Sequence, residues 1–168
     1  LLALYRMVPE DQRWRDIERE QQREMEKKER GGLDILVVDD NQPNLMVALA
    51  ILGQLGFRAQ GAENGPRALE MLGQTKFDLV LLDLQMPGMD GFETLAAIRD
   101  EENDLLDHEV PVVALTANAA KEEQERCLTA GMAAYLSKPV RPKTLGGALD
   151  RILLPLYKPA SAREENPA

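Results

Sequence analysis

Four short stretches of this chain place polar side chains directly after apolar runs. "VVDD" ends in Asp39 and Asp40, "VLLD" in Asp83, "VVALT" in Thr116, and "AAYLSK" in Ser137 and Lys138. Runs of Val, Leu and Ile suit strands buried on both faces, so each polar residue marks where the chain leaves the interior. Carboxylates brought together repel and raise one another's pKa unless a cation intervenes. Oxygen-only ligands with room for water suit Mg²⁺, which takes one or two carboxylates plus a phosphate. A hydroxyl and an ammonium on the far side would neutralise phosphoryl oxygens. Among these acids, Asp83 alone leads into a stiff turn, "LQMPGMDG", with Pro87, Gly88 and Gly91. It is therefore the candidate nucleophile, a carboxylate that attacks phosphorus to give an aspartyl phosphate.

These residues meet only if the elements before them are parallel and adjacent. From Leu33 the chain alternates apolar runs with helical patterns. "LDILVVDD" precedes "QPNLMVALAILGQLG", which carries Pro43 in its first turn and Gly56 as a stop. "FRAQGA" precedes "PRALEMLGQ", and "FDLVLLD" precedes "FETLAAIRDEEND". "VPVVALT" precedes "AAKEEQERCLTAG", and "AAYLS" precedes "PKTLGGALDRILL", a helix that Pro155 should stop. Five strand–helix units predict an α/β fold, a five-stranded parallel sheet with helices on both faces. In such sheets the ligand lies beyond the carboxyl ends of the strands, where the four polar ends fall.

Ahead of this region, residues 10–30 are rich in helix formers and contain neither Gly nor Pro. Glu24 with Lys28 and Glu26 with Arg30 are favourable pairs at a spacing of four. An apolar stripe of Leu1, Leu4, Val8, Trp14 and Ile17 fades after Ile17, so a solvated linker helix is expected. A homodimer through a coiled coil is the alternative, weakened by the missing heptads. The domain expectation is a charged helix and linker over 1–32, a globular domain over 33–156, and a flexible tail over 157–168.

Charge narrows the partners. The net charge is −9, yet residues 1–32 sum to zero, leaving twelve basic and twenty-one acidic groups in the rest. Such an acidic domain repels a phosphate backbone, which argues against direct nucleic-acid binding. Cys127 is alone, so no disulfide framework is possible and a cytoplasmic setting is natural. No apolar run reaches the roughly 18 residues of a membrane span. The chain begins with Leu, as expected of a piece of a longer protein, and a membrane-anchored parent stays compatible with that.

The motifs "VVDD", "LLDLQMPGMDG", "ALTA" and "YLSKP", in this order, resemble the receiver domain of two-component signalling from Leu33 to Leu156. That resemblance implies the flavodoxin-like strand order 2-1-3-4-5. It also implies a phosphoacceptor that catalyses its own phosphorylation and dephosphorylation rather than a separate enzyme. By this resemblance Asp83 is the phosphorylated residue. Asp40, Asp83 and the backbone carbonyl of Gln85 bind Mg²⁺ directly, and Asp39 acts through water. Thr116 and Lys138 contact the phosphoryl group, Tyr135 follows Thr116 as a switch, and Gln85 and Asn118 tune dephosphorylation. The Lys138–Pro139 bond is commonly cis in the family. Partners would be a histidine kinase or a histidine phosphotransfer domain. "DDNQPNLMVA" and "ALTANA" look more like receivers of hybrid sensor kinases than like those of DNA-binding regulators.

Blander readings compete with each assignment. Asp39 and Asp40 could cap the next helix, Asp83 could form a turn, and Lys138 could be a solvated loop lysine. Tyr135 could be an ordinary core tyrosine with its hydroxyl at the surface. His108 is expected to be a surface histidine, and Cys127, Met86 and Met89 to be packing residues. A stand-alone regulator or a docking module that never carries phosphate are the alternatives in function. A dehalogenase-type phosphatase needs a second Asp where Gln85 stands, and a nucleotide fold needs a Gly-rich loop after the first strand.

Overall fold

The computed structural model describes residues 10–118 and 120–157. Leu1, Leu4, Val8 and tail residues 158–168 lie outside the described residues, as do the side chains of Glu24, Glu26 and Lys28. In chain order the elements are α1 (Glu10–Arg30), β1 (Asp34–Val38), α2 (Gln42–Leu55), β2 (Arg58–Ala62) and α3 (Gly65–Gln74). Then follow β3 (Leu79–Asp83), α4 (Gly91–Arg99), β4 (Val112–Thr116), α5 (Lys121–Thr129), β5 (Ala134–Ser137) and α6 (Pro142–Tyr157).

The strands form one parallel sheet in the order β2-β1-β3-β4-β5. The central strands β3 and β4 are buried at every position, and β1 at all but its first, which explains their unbroken apolar runs. At the edges β2 and β5 expose part of their length, as the polar "RAQGA" requires. Alternation splits the core in two. Ile35, Val37, Leu79, Leu81, Val113 and Leu115 face α2 and α6, where Leu52, Leu145 and Leu149 complete the packing. Leu36, Val38, Val80, Leu82, Val112 and Ala114 face the other way, onto α3, α4 and α5 through Leu72, Ile98 and Cys127. Each fully buried Leu here is worth about 1.5–3 kcal/mol relative to exposure.

Side-chain caps set the helix starts on the site side. Asn41 caps α2 through Asn44 N–H at 3.0 Å, and Asn64 caps α3 through Arg67 N–H at 2.8 Å. Asp90 and Glu93 cap each other's backbone at α4 in a reciprocal box. The capping role open to Asp39 and Asp40 thus belongs to Asn41.

Some boundaries differ from the sequence pattern. Helix α4 ends at Arg99, not Asp104. Asp100 turns extended, its side chain accepts from Glu102 N–H, and Asn103 donates to the Ala97 carbonyl, so local side-chain bonds replace the next helical turn. Helix α6 runs through Pro155 to Tyr157. The proline removes one amide donor from the helix without ending it. His108 is half-buried rather than a plain surface residue: its Nδ1 lies 3.0 Å from the Ile98 carbonyl.

Helix α1 is tied to the domain at its last residue. Arg30 is 7% exposed and pairs with Asp150 of α6 through Nε at 3.2 Å and Nη2 at 2.6 Å. Its Nη1 donates to the Leu55 carbonyl at 3.1 Å, and its guanidinium lies 5.4 Å from the centre of the Phe57 ring. Farther up the helix Trp14 is 61% exposed, in keeping with a solvated linker.

Candidate functional site

The strand ends converge as their register requires. Asp83 closes β3, and Asp39 and Asp40 lie just past the end of β1, its neighbour. Lys138 follows β5 and is held there by its N–H to the Thr116 carbonyl at 2.8 Å. From that edge strand its side chain reaches back over the sheet. Lys138 Nζ lies 2.9 Å from Asp39 Oδ2 and 3.1 Å from Asp83 Oδ2. Asp39 and Asp83 are buried, with side chains 2% and 5% exposed, while Asp40 opens to solvent. Oxygens of Asp39, Asp40 and Asp83 all lie within 4.8 Å of one another.

The surrounding chain fixes these carboxylates. Asp39 accepts the Asn41 N–H at 2.9 Å, and Asp83 accepts the Gln85 N–H at 3.2 Å. The loop beyond Asp83 closes tightly because Gly91 has no side chain: a Cβ there would sit 2.6 Å from the Asp83 carbonyl oxygen and 2.7 Å from Leu84 Cα. Only glycine lets α4 begin against the end of β3. Met86 is buried in the core and Met89 half-buried against Gly65, so both are packing residues.

Electrostatics at the cluster do not balance. Burial pushes the Asp83 pKa above the ordinary carboxylate range, and the Asp39 charge adds to this. The Lys138 hydrogen bond and charge and the Gln85 N–H pull the other way without prevailing. For Lys138, burial alone favours the neutral amine, but its bonds to Asp39 and Asp83 and their charges outweigh it, so its pKa lies above the usual value. One ammonium faces three carboxyl groups. An oxygen-only set with that excess of negative charge, one member open to solvent, fits a small hard divalent cation such as Mg²⁺.

Thr116 and Tyr135 are placed differently from the acids and the lysine. Thr116 is 1% exposed, and its hydroxyl is engaged with Asn118, donating to the carbonyl and accepting from the N–H, both at 3.0 Å. Asn118 is exposed, and its side chain accepts the Ala120 N–H. Tyr135 is half-buried, and its hydroxyl donates to Gln124 Oε1 on α5 at 2.7 Å. Gln85 is exposed at the mouth of the site. The Lys138–Pro139 peptide is cis. Gln124, the partner of Tyr135, escaped the sequence reading: it lies in a charged helix with nothing to single it out. So did the tie of Arg30 to Asp150, 120 residues away and outside the site.

Helix α2 presents two exposed apolar residues, Met46 at 63% and Val47 at 52%. Val47 also lines a cavity of about 110 Å³ that reaches Asp39, Lys138, Pro139 and Val140. An apolar surface therefore borders the charged centre.

Comparison with known proteins places this arrangement. The family model described as "Response regulator receiver domain" matches residues 35–150. The chain is 40% identical over 111 residues to the sensor histidine kinase GacS of Pseudomonas protegens, covering 66% of this chain and 12% of that one. It is 44% identical over 106 residues to the sensor histidine kinase RcsC of Salmonella typhimurium, covering 63% and 11%. The chain thus spans only a small part of these relatives. Among solved structures it superposes on the receiver domain of a sensor histidine kinase of Pseudomonas aeruginosa with a magnesium ion coordinated in its active site cleft. That match has TM-score 0.64 and 38% identity, and covers 73% of this chain and 98% of the other. The chemotaxis protein CheY4 of Vibrio cholerae matches with TM-score 0.64 and 29% identity over 72% of this chain and 98% of that one. No helix among the described residues is long and apolar enough to cross a membrane.

Proposed function

This chain belongs to the response regulator receiver domain family, and from that premise we propose that it accepts a phosphoryl group on Asp83. The observation that carries the reading is the cluster itself: Asp39, Asp40 and Asp83 with oxygens within 4.8 Å, and Lys138 at 2.9 and 3.1 Å from two of them. Asp40, Asp83 and the Gln85 carbonyl would hold Mg²⁺ directly, with Asp39 through water. Bound there, the ion offsets the charge of the acids and of the phosphoryl oxygens. An Asp83 oxygen attacks the phosphorus of a phosphohistidine; the O–P bond forms, the P–N bond breaks, and the imidazole departs with the electron pair. Because this transition state is loose, the chain's contribution is position and charge. Lys138 neutralises one oxygen, and Thr116 reaches another once its hydroxyl leaves Asn118. The aspartyl phosphate is later lost to water or passed to another histidine, at a rate that Gln85 and Asn118 adjust.

The donor is a histidine kinase or a histidine phosphotransfer domain, and it would cover the apolar side chains of Met46, Val47 and Val140. Similarity to GacS and RcsC supports a hybrid kinase as the parent, with residues 33–156 as its receiver and residues 1–32 as the connector. The acidic surface supports protein partners over nucleic acid, and the lone Cys127 a cytoplasmic position. Acetyl phosphate with Mg²⁺ tests the reading. Wild-type protein should be labelled and Asp83→Asn should not; equal labelling of both would refute the assignment. Failure of the wild type to label, with Mg²⁺ still bound, would favour a docking module that carries no phosphate.

A further inference from the structure

Tyr135 and Thr116 are neighbours on one face of the sheet. Ala114 of β4 pairs in register with Tyr135 of β5, and Thr116 lies two residues beyond Ala114, on the same face. Ala114 is fully buried and carries only a methyl group, so the strip of sheet between tyrosine and threonine has a small side chain on it. The Tyr135 ring already packs against the cluster that contains Val112, Ala114, Cys127 and Met132. Its hydroxyl is held from the opposite direction, by Gln124 Oε1 on α5 at 2.7 Å. Thr116 meanwhile is turned to Asn118 by two bonds of 3.0 Å. These bonds together describe a resting arrangement in which neither residue addresses the Asp83 site.

We propose that Gln124 is a catch that holds Tyr135 in this resting position and so sets how readily the domain switches. The proposal rests on the phosphoacceptor reading of Asp83. When a phosphoryl group draws the Thr116 hydroxyl from Asn118, the Tyr135 ring advances over Ala114 and its hydroxyl must leave Gln124. The bond to Gln124 exists in one state only, so its full worth enters the equilibrium between the two. It also ties α5 to β5, so its release frees α5 to move. Gln124 is a positioning residue, because it touches Tyr135 and none of the reacting atoms.

The test is a beryllofluoride titration with saturating Mg²⁺, followed by the amide resonances of Thr116 and Ala134, on wild type, Gln124→Ala, Tyr135→Phe, the double variant and Gln124→Glu. Each of the first two variants should lower the half-saturating beryllofluoride concentration by roughly two- to tenfold, the worth of one net hydrogen bond. Gln124→Ala should lower it less in the Tyr135→Phe background than in the wild type, since the shared bond is already gone there. Gln124→Glu keeps an acceptor, now a charged and stronger one, and should not lower the half-saturating concentration. Unchanged half-saturation in Gln124→Ala and Tyr135→Phe would overturn the catch, as would effects that add in the double variant. If Gln124→Ala unfolds, Tyr135→Phe carries the test, because it keeps the ring and leaves α5 unaltered. A wild type that ignores beryllofluoride would instead sink the phosphoacceptor reading, and the catch with it.

Discussion

Two ionic clusters in this molecule differ in their arithmetic. At the exit edge of the sheet one ammonium, Lys138, serves two buried carboxylates, with Asp40 close by. Between α1 and α6 the guanidinium of Arg30 meets the carboxylate of Asp150 through two of its nitrogens, and a third donates to the Leu55 carbonyl. In the second cluster a carboxylate meets the guanidinium in bidentate geometry, as suits a structural tie. In the first the negative charge is in excess, and burial holds Asp83 above its ordinary pKa. The acidic excess of the first cluster is the kind of charge that a divalent cation would offset.

Breaking each cluster should therefore give different signatures. Lys138→Ala is the largest perturbation, since it leaves Asp39 and Asp83 buried without their cation. A fully buried pair broken this way costs about 3–5 kcal/mol, and the 18% exposure of the lysine reduces this to about 2–3 kcal/mol. Labelling by acetyl phosphate should be lost as well. Because a divalent cation replaces the missing charge, added Mg²⁺ should recover part of the stability in denaturant titrations. Arg30→Ala should cost about 1–2 kcal/mol through its lost charge-assisted bonds. Mg²⁺ should stabilise this variant only as much as it does the wild type, and labelling at Asp83 should stay at the wild-type level. An equal Mg²⁺ increment in the two variants would erase the distinction between the clusters.

Asp83→Asn sharpens the comparison from the other side. Burial raises the Asp83 pKa in the fold, so the folded protein binds this proton more tightly than the unfolded chain. That contribution is fully present below the unfolded carboxylate pKa and is lost as pH rises through the folded value. At neutral pH the ionised group therefore opposes folding. Asparagine should raise stability by on the order of 1 kcal/mol after solvent screening, in the absence of divalent cations. The gain should shrink as pH falls through the carboxylate range. A loss of stability at neutral pH would show that the Lys138 bond outweighs burial.

What the chain's letters disclose follows the same division. Asp39, Asp40, Asp83 and Lys138 are legible because each terminates a strand pattern, and a parallel sheet brings strand ends together regardless of detail. The sheet order itself followed from motif order, since alternation alone does not choose among doubly wound topologies. Hidden were the features set by rotamers and distant partners. The sequence does not say that the Thr116 hydroxyl turns to Asn118, or that Tyr135 finds Gln124 among the charges that flank it on α5. Nor does it pair Arg30 with Asp150, because a surface-like "KKER" reads as solvated until α6 packs behind it. Asp39, Asp40 and Asn41 are three good caps in a row, and only the backbone turn selects Asn41.

The smallest effect belongs to a third ion pair, at the opposite end of the strands. Arg58 of β2 meets Asp34 of β1 in two bonds of 2.9 and 2.8 Å, which on geometry alone rival those of Arg30. Yet its side chain is 61% exposed, against 9% for Arg30, so water solvates the guanidinium whether or not the pair forms. The hydrogen bond and charge of Asp34 raise the Arg58 pKa, but this group is charged at any working pH and the shift has no consequence near neutrality. Asp34 serves also as a strand residue whose N–H is bonded to Asp78, so its backbone stays in place without Arg58. Arg58→Ala should then leave the denaturation midpoint unchanged at moderate salt, while Arg30→Ala shifts it. Equal shifts for the two variants would mean that bond geometry, rather than burial, decides the worth of an ion pair in this fold.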